Sequence, residues 1–472
     1  MKARNPRTGK VDYEFTPDTP EAVAAEACRL RALQGEWEAM GPLARAAQMN
    51  RLADAIEGAA PSIIEALSVD TGRRNIAAIE VQGCIANIRR WAQRGPELFD
   101  TLDRGPKSSA VPNIEITTDY SAYPLVGAIA PWNFPVILSH IDAIPALMAG
   151  GAALIKPSEV TPRFVVPMRD VFAQLPQIPI GYVMGGADTG RAVIEHVDYV
   201  CFTGSTETGR AVARSAADRL IPANLELGGK DPMIVAGSAD PEWAARIALR
   251  ASIVATGQAC QSIERVFVAA EIAGPFIAAL VAEAERVELT YPDAAKGHVG
   301  PFIFAAQGAK VQAQIDDARS KGAHILTGGE VQRLGGGDYL RPTVLTEVTP
   351  QMDVMREETF GPVIPVTVFD DIDAAVEAAN ATQYGLSAAV LAGSHEEAAA
   401  IAARIEAGAI SLQDGALTNM VGDATNASRG ASGLGPSRMG DSGMRRFLRE
   451  KAMIRQAGEP LPIDAYGEGG DR

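Results

Sequence analysis

The amino-acid sequence predicts an α/β protein with two doubly wound α/β domains and a small β excursion outside them. The chain has 472 residues, whereas a single hydrophobic core stops growing at roughly 250 to 300 residues. From residue 124 onward, short apolar runs alternate with helical stretches, and a second series of this kind begins near residue 230. Such alternation is typical of parallel sheets that carry helices on both faces.

The first series of elements follows a helical region. Residues 20–100 have helical periodicity with alanine and charged residues interleaved, which predicts surface helices. After residue 124 the apolar runs predict strands, and the stretches between them predict helices over 135–149, 162–174, 187–196 and 206–219. Ligands of such sheets bind at the carboxyl ends of the strands, so a nucleotide site is expected there.

The second series predicts another α/β domain. It contains the apolar runs MIVAG and RVFVA with helices predicted over 241–255 and 275–288, and later the runs HILTGG, PTVLTEV and PVIPVTVF. We therefore assign one domain to residues 1–107 and 124–228, and the other to residues 229–435.

The β excursion is predicted from residues 108–123, where apolar and polar side chains alternate as in an exposed hairpin. The C-terminal tail, residues 449–472, is expected to add an extended strand to it. Strands outside a core offer an edge to another chain. The chain is therefore expected to form a homodimer or a homotetramer.

Composition and charge exclude several classes of protein. With 47% hydrophobic and 21% charged residues, the chain is an ordinary soluble globular protein. Its formal net charge of -15 repels phosphate backbones and anionic lipids, so neither a nucleic acid nor a membrane partner is expected. The first residues lack the apolar segment and cleavage site of a secretory signal, which predicts a cytoplasmic protein.

Cysteine and histidine are too scattered for a metal site or a disulfide framework, so no metal is expected. Three of the four cysteines, Cys28, Cys84 and Cys201, lie in apolar or helical settings and are predicted to be core residues. The fourth, Cys260, lies in the polar, glycine-led stretch GQACQSIERV, where a core thiol would be out of place.

Two polar residues follow predicted strands. Asn133 in PWNFP would lie at the end of a sheet, where its carboxamide can donate hydrogen bonds to an oxyanion. The alternative is an asparagine that only closes a turn, since the same sequence pattern fits both. Glu226 lies in the apolar stretch LELGGK. Burial there would raise its pKa toward that of a general base, and the alternative is a glutamate paired with a structural cation.

The stretch YVCFTGSTETGR predicts a strand, a turn at Gly204 and Ser205, and the start of a helix. Free backbone N–H groups at such a start can bind a phosphate. The spacing from Gly204 to Gly209 is not that of the Gly-x-Gly-x-x-Gly fingerprint, so an ordinary strand-to-helix turn remains the alternative.

Taken together, these stretches resemble the aldehyde dehydrogenase superfamily over nearly the whole chain. Eight motifs occur in the order and spacing of the family: NPRTGK, APWNFP, IKPSEVTP, FTGSTETGR, LELGGKDP, GQACQ, EETFGPV and YGLSAAV. The resemblance implies an NAD-dependent oxidation of an aldehyde to the carboxylic acid through a cysteine thiohemiacetal and a thioester. It also implies that the domain of residues 1–107 and 124–228 binds NAD, and that the domain of residues 229–435 is catalytic.

The resemblance implies a role for each catalytic candidate. Cys260 takes the place of the nucleophile, the Asn133 side chain and the Cys260 N–H form the oxyanion hole, and Glu226 activates the water that hydrolyses the thioester. A CoA-acylating enzyme is an alternative, but that branch generally lacks the base glutamate. A non-catalytic structural relative is another, but it would typically have lost the nucleophile.

The resemblance also implies a cofactor site. Lys156 and Glu159 would lie beside the adenine ribose, and a carboxylate there accepts hydrogen bonds from ribose hydroxyls but repels a 2′-phosphate, so NAD is expected rather than NADP. For Lys156 the alternative is a surface charge at a strand end. The other implied cofactor residues are Trp132, Gly204 and Ser205 near the pyrophosphate, Leu227 behind the nicotinamide, and Glu358 and Phe360 at the nicotinamide ribose and ring.

Phe134, Ile137, Leu138 and Ile141 follow Asn133 on one apolar helix face. In semialdehyde-specific members of the family an arginine takes the position of Ile141, so an uncharged aliphatic or aromatic aldehyde is expected here. The alternative is that this face packs into the core and carries no information on the substrate.

Two charges depart from the family pattern. Asp142 stands where the family usually has a lysine, and the family's C-terminal glutamate is replaced while Arg438 stands beside its position. We therefore expect Asp142 and Arg438 to form an exchanged ion pair, with Arg445 and Arg446 as other partners for Asp142. A solvated Arg438 is the alternative.

Overall fold

The computed structural model describes residues 1–468 of the chain, and its elements alternate as the sequence predicts. The helices in these residues are α1 (Pro20–Ala39), α2 (Pro42–Thr71), α3 (Asn75–Asp100), α4 (Pro135–His140), α5 (Ala143–Ala149), α6 (Val165–Ala173), α7 (Ala187–His196), α8 (Thr206–Asp218), α9 (Pro241–Ile253), α10 (Ala270–Glu285), α11 (Ala305–Ser320), α12 (Asp353–Arg356), α13 (Ile372–Asn380), α14 (His395–Ala402), α15 (Leu417–Met420) and α16 (Ser442–Arg445).

The strands in these residues form two large sheets and several small ones. They are β1 (Lys2–Arg4), β2 (Val11–Glu14), β3 (Lys107–Ser108), β4 (Ile114–Ala122), β5 (Leu125–Ile129), β6 (Ala152–Lys156), β7 (Ile180–Tyr182), β8 (Tyr199–Thr203), β9 (Ala223–Glu226), β10 (Asp231–Val235), β11 (Ile263–Ala269), β12 (His324–Thr327), β13 (Gln332–Leu334), β14 (Gly337–Tyr339), β15 (Thr343–Thr346), β16 (Val363–Phe369), β17 (Tyr384–Gly385), β18 (Ser387–Leu391), β19 (Ala409–Leu412), β20 (Arg429–Gly430), β21 (Gly433–Leu434) and β22 (Leu448–Gln456).

The first large sheet has the strand order β21-β9-β8-β5-β6-β7. Strands β5 to β9 pair in parallel, and the late strand β21 adds antiparallel to the edge at β9. The order doubles back at β5, so β6 and β8 lie on either side of it. Such a reversal leaves a crevice at the carboxyl ends of the strands, where doubly wound proteins bind ligands.

The second large sheet has the strand order β12-β15-β16-β11-β10-β18-β19 and is parallel except at β12. Its strands are rich in valine, isoleucine and alanine, because both faces of a parallel sheet are covered by helices. Each large sheet has its own pair of buried apolar clusters. The two doubly wound domains of the predicted fold class are therefore present, and the residues chosen as domain boundaries stay a prediction.

A third sheet has the order β22-β4-β3, in which β4 pairs antiparallel with both neighbours. This sheet contains the predicted hairpin and the strand added by the tail, and the side chains of β22 after Leu448 are exposed. The last four residues of the predicted tail, 469–472, lie outside the described residues. A role of this sheet in oligomerisation stays a prediction.

The predicted single helix over 135–149 is wrong, because the chain forms α4 and α5 with a break at Ile141 and Asp142. Pro145 explains the break. It has no N–H to donate to the carbonyl of Ile141, and its ring clashes with that carbonyl in a continuous helix.

Three other expectations need correction. Helix α6 begins at Val165 rather than at residue 162, and the residues before it form turns in which the N–H groups of Val165 and Val166 donate to the carbonyls of Pro162 and Arg163. Helix α10 begins directly after β11, so that Pro275 lies in its second turn and not at its start. Cys28 is exposed and not a core residue, since α1 turns Ala27 and Leu30 inward instead, whereas Cys84 and Cys201 are buried.

Candidate active site

Cys260 lies in the loop that leads into β11. The residues before it form a short 3₁₀ helix, Val254–Gly257, in which Ala255 and Thr256 have φ angles of 55° and 64°. This left-handed conformation is strained for residues with a Cβ atom and persists only where its surroundings hold it. Arg73 does so, because its Nη2 donates to the Ala255 carbonyl at 2.5 Å.

Arg73 also joins this loop to the residue predicted for the oxyanion. Its Nη1 donates to the backbone carbonyl of Asn133 at 2.9 Å, and the arginine is buried beside Glu80. Burial lowers the pKa of Arg73 to about 10, so it remains a cation at neutral pH. One buried guanidinium therefore fixes the spacing between the Cys260 loop and Asn133.

The side chain of Asn133 is buried and directed toward the same loop. Its Nδ2 donates to the Gln258 carbonyl at 3.1 Å, two residues before Cys260. An amide nitrogen carries two N–H donors, so one donor remains for an oxygen of a substrate. This contact places Asn133 beside the loop of Cys260 and does not match the simple turn asparagine that the sequence left open.

The thiol of Cys260 is partly exposed. Burial raises its pKa to about 12, the nearby charge of Arg438 lowers it, and the carboxylates of Asp231, Glu226 and Glu358 raise it further. The resting group is therefore the neutral thiol, and the chain must supply a base to form the thiolate.

Glu226 is the last residue of β9 and lies opposite Gly433 of β21. Its Oε2 accepts a hydrogen bond from the Ser428 hydroxyl at 2.7 Å. Within residues 1–468 it has no ion-pair partner at 4.0 Å or less, so the alternative of a structural cation is not supported. A carboxylate that holds one hydroxyl keeps acceptor sites free for a water molecule.

Two glycines let the segments of the site approach one another. A Cβ atom on Gly228 would lie 2.7 Å from Glu358 Oε2, and one on Gly229 would lie 2.9 Å from the Cys260 carbonyl. Neither distance is compatible with a side chain. The segment after Glu226 therefore touches both the Cys260 loop and the segment of Glu358.

The carboxyl end of β6 carries the first pair of predicted cofactor residues. Lys156 is buried, and its Nζ lies 3.0 Å from Oε2 of the half-exposed Glu159. The lysine is thus not a surface charge. The pair stands at the strand edge where a doubly wound sheet binds the sugar of a nucleotide.

The carboxyl end of β8 leads into α8 through Gly204 and Ser205. The Gly204 N–H donates to the Glu226 carbonyl at 3.1 Å and is therefore not free for a phosphate, contrary to the expectation for this turn. Ser205 caps the helix by accepting from the Thr208 N–H at 3.3 Å. The free donors at this end are those of the first helical turn, which favour an anion.

Behind this turn, Leu227 packs under the helix, where a Cβ atom on Gly209 would lie 2.4 Å from its Cδ2. On the other side, Trp132 meets the ring of Phe360 edge to face with centroids 5.4 Å apart. Trp132 and Phe360, two of the predicted cofactor residues, therefore contact each other. Burial raises the pKa of Glu358 to about 7, and the charge of Glu264 adds to this effect.

The predicted substrate residues remain accessible. Phe134, Ile137, Leu138 and Ile141 are all partly exposed. The residues between them are buried, namely Pro135, Val136, Ser139 and His140. The apolar face is therefore the open side of α4, and the alternative that it packs into the core is not supported.

Asp142 lies in a buried cluster with two arginines. Its Oδ1 is 2.5 Å from Arg446 Nη2, and its Oδ2 is 3.7 Å from Arg438 Nη1. Arg438 also donates to the Thr203 hydroxyl at 2.8 Å. The expected pair with Arg438 is present and Arg438 is not solvated, but Arg446, one of the other expected partners, makes the closer contact. Arg445 instead donates to Thr101.

Sequence reasoning missed Arg73 and Ser428, which hold the candidate catalytic residues through hydrogen bonds. Arg73 belongs to the motif-like stretch DTGRR, where no apolar pattern indicates burial. Ser428 comes from the Gly-, Asn- and Ser-rich stretch 413–435, whose composition says nothing about its contacts. No local signal in the sequence could have found either contact, because each joins segments far apart in the chain.

Within the part of the chain that the structure describes, no helix is long and apolar enough to cross a membrane. In the same residues, no three His, Cys, Asp or Glu side chains gather as a metal ion would need.

Known proteins are similar to this chain over most of its length. The sequence model of the aldehyde dehydrogenase family matches residues 1–453. A Mycolicibacterium smegmatis protein named "Putative succinate-semialdehyde dehydrogenase", with NADP(+) in its name, is 36% identical over 416 residues, which are 86% of this chain and 79% of that protein.

Solved structures show the same architecture. The structure of "Putative Aldehyde Dehydrogenase PutA" from Anabaena variabilis is 45% identical and superposes with a TM-score of 0.95 over 98% of both chains. Betaine aldehyde dehydrogenase from Staphylococcus aureus, in complex with NAD+, is 26% identical with a TM-score of 0.91 over 98% of this chain and 92% of that one.

Proposed function

The chain belongs to the aldehyde dehydrogenase family, and on that premise we propose that it oxidises an uncharged aliphatic or aromatic aldehyde to the carboxylic acid with NAD. It is an oxidoreductase that acts on aldehydes and uses NAD(P). One observation carries the proposal: the Asn133 amide contacts the loop that carries Cys260, and Glu226 lies close enough to Cys260 for its charge to raise the pKa of the thiol.

The proposed reaction begins with attack of the Cys260 sulfur on the aldehyde carbon. The thiol proton passes to Glu226, since burial keeps the thiol from ionising unaided. The free N–H of the Asn133 amide and the backbone N–H of Cys260 stabilise the alkoxide of the thiohemiacetal. Bound NAD supplies the acceptor for the hydride that leaves this carbon. The carbon is then a thioester of Cys260.

Glu226 acts again in the second half of the reaction. After it has released the thiol proton to solvent, it accepts a proton from a water molecule, the water oxygen attacks the thioester carbon, and the bond from carbon to sulfur breaks. The proton on Glu226 then passes to the sulfur. The products are the carboxylic acid and the Cys260 thiol. Ser428 fixes one oxygen of Glu226, which leaves the other to face the water.

The residues around the cleft fit a dinucleotide. Lys156 and Glu159 would hold the adenine ribose, the first turn of α8 after Ser205 would hold the pyrophosphate, and Glu358 and Phe360 would hold the nicotinamide end. Because Lys156 is already paired with Glu159, no free cation of this pair remains for a 2′-phosphate. A negative carboxylate would also repel one.

We therefore expect NAD to be the better cofactor, although the M. smegmatis relative carries NADP(+) in its name. The measurement is kcat/KM for each cofactor at a saturating aldehyde concentration. A higher kcat/KM with NAD, by roughly tenfold, would correspond to ~1.4 kcal/mol of discrimination. Equal values or a preference for NADP would contradict the assignment of Glu159.

The open face of α4 favours an uncharged aldehyde. The residues on it are apolar, and Arg73, whose guanidinium lies 5.7 Å from the centroid of the Phe134 ring, has both terminal nitrogens engaged with backbone carbonyls. Arg73 is therefore not free to pair with a second carboxylate. We expect benzaldehyde or an aliphatic aldehyde to have a higher kcat/KM than succinic semialdehyde.

The measurement is NADH formation over a panel of aliphatic, aromatic and anionic aldehydes, with and without coenzyme A. Preference for succinic semialdehyde, the substrate in the name of the M. smegmatis relative, would contradict the uncharged class. Dependence on coenzyme A would favour the acylating alternative. Absence of NADH with every aldehyde would favour a structural protein.

The cluster around Asp142 is expected to hold the C-terminal segment against the cleft. Asp142, Arg438 and Arg446 are buried, and removal of one member of a buried pair leaves an uncompensated charge that costs roughly 3–5 kcal/mol. Double-mutant cycles with Asp142→Asn and either Arg446→Met or Arg438→Met measure the free energy of unfolding. We expect couplings of about 1–3 kcal/mol, larger with Arg446 because its contact is closer.

Arg445→Met is the matched control, since Arg445 is the exposed neighbour of Arg446 and bonds to Thr101. Its cycle with Asp142→Asn should be additive. Additive losses of unfolding free energy in all three cycles would show that Asp142 is not coupled to either Arg438 or Arg446.

The third sheet supports self-association. Its outer strand β22 exposes Met453 and Ile454, and an exposed strand with apolar side chains offers a surface to a second copy. We expect a homodimer or a homotetramer by light scattering, and a monomer would contradict the proposal.

A further inference from the structure

A buried ion pair lies beneath the segment that carries Glu358 and Phe360. Lys230 Nζ and Glu264 Oε2 are 2.8 Å apart, and their side chains are 0% and 4% exposed. Charges in such a place are unfavourable unless they are paired and their remaining donors and acceptors are satisfied. The partners of this pair therefore indicate what it holds in place.

Those partners belong to the cofactor segment. The Glu264 carboxylate accepts from the backbone N–H groups of Thr359 and Phe360, each at 2.8 Å, and Lys230 Nζ donates to the Thr359 hydroxyl at 2.8 Å. The Glu264 carboxylate thus binds the consecutive residues Thr359 and Phe360, and the Lys230 ammonium group binds the first of them.

The backbone at these residues is strained. Phe360 has a φ of 57°, a left-handed conformation that is rare and unfavourable for a bulky residue. Such a conformation persists only where its surroundings hold it. The two hydrogen bonds to Glu264 stabilise the strained turn. In this conformation the Phe360 ring contacts Trp132.

The ion pair also fixes where the cofactor segment lies. Lys230 directly precedes β10, and Glu264 lies in the neighbouring strand β11. Beside them, the Gly229 N–H donates to Glu358 Oε1 at 3.3 Å. The pair therefore anchors the segment 358–360 to two strands of the second large sheet.

We propose that Lys230 and Glu264 are positioning residues that hold the segment 358–360 in the conformation that binds the nicotinamide end of the cofactor. The proposal rests on the proposed function, which assigns Glu358 and Phe360 to the cofactor. Both side chains are buried, so Glu264 acts through the backbone N–H groups of Thr359 and Phe360, and Lys230 acts through the Thr359 hydroxyl.

The test is the variant Glu264→Gln. Glutamine keeps the shape, but its NH₂ group cannot accept a backbone N–H, and Lys230 loses its counter-charge. We expect the Kd for NAD, measured by isothermal titration calorimetry, to rise tenfold or more. Hydrolysis of p-nitrophenyl acetate by Cys260 needs no cofactor and should stay within about twofold.

Glu271→Gln is the matched control, because Glu271 is exposed in the first turn of α10, just beyond the other end of β11. It should leave the Kd for NAD unchanged. Should Glu264→Gln not fold, Thr359→Val removes only the hydroxyl that Lys230 binds, and we expect it to raise the Kd for NAD about threefold.

An unchanged Kd for NAD in the variant that folds would overturn the proposal. A parallel loss of ester hydrolysis would also overturn it, since the pair would then support the whole site rather than the cofactor segment. A weakened NAD complex in a protein that oxidises no aldehyde would instead support the positioning role and contradict the proposed function.

Discussion

Replacement of Cys260 by alanine is expected to lower NADH formation by roughly a thousandfold or more while the Kd for NAD stays within about twofold. The variant loses the group to which we assign the thiohemiacetal and the thioester, and a reaction that depends on a covalent intermediate does not proceed without its nucleophile. The predicted cofactor residues come from other segments, so their geometry is unaffected. Steady-state turnover and calorimetric titration with NAD measure the two quantities.

Cys28→Ala is the control for this variant, because Cys28 is the exposed free cysteine of α1. It should retain full activity. Appreciable steady-state turnover by Cys260→Ala would mean that another residue, or no residue, forms the covalent bond.

Replacement of Glu226 by glutamine should separate the two halves of the reaction. Hydrolysis of the thioester needs a base for the incoming water, and loss of a positioned general base slows such a step by roughly a hundredfold to ten-thousandfold. The first half needs a base only to take the thiol proton, and buffer can take it in the variant because Cys260 is partly exposed. We therefore expect a burst of NADH close to one equivalent of active sites, followed by a slow steady rate, in stopped-flow absorbance.

Ser428→Ala tests the same step through its hydrogen bond to Glu226. It should slow the steady rate by only about threefold to tenfold, since the carboxylate itself remains. Full steady-state turnover in Glu226→Gln, without a burst, would show that another group activates the water.

Much of this architecture can be predicted from the sequence, because local patterns determine it. The alternation of apolar runs and helical stretches predicts both parallel sheets, and period-two alternation predicts the hairpin of β3 and β4. The candidate residues Asn133, Glu226 and Cys260 could be named because each belongs to a short motif. The structure then brings their segments together.

The remaining features depend on contacts between distant segments, which no local pattern specifies. The strained loop before Cys260 needs Arg73, which is 182 residues away from the carbonyl that it binds. Asp142 lies near two arginines, and the packing of α16 against α5 brings Arg446 closer to its carboxylate than Arg438. The exposure of Cys28 likewise depends on which face of α1 packs against its neighbours.

Charged residues within apolar strands do give a usable signal. Glu264 and Arg265 lie in an otherwise apolar β11, and buried charges must find partners. That pattern predicts a buried ion pair but cannot name Lys230 or the backbone of Phe360 as its partners. The positioning role of this pair could therefore be inferred only from the structure.

The central claim is that the aldehyde becomes a thioester of Cys260. It is tested most directly by mixing Glu226→Gln with NAD and the preferred aldehyde, quenching in acid within the burst, and measuring the mass of the protein and its peptides. We expect the protein to gain the mass of one acyl group, carried by the peptide that contains Cys260. An NADH burst without acyl mass, or an acyl group on any other residue, would contradict the claim.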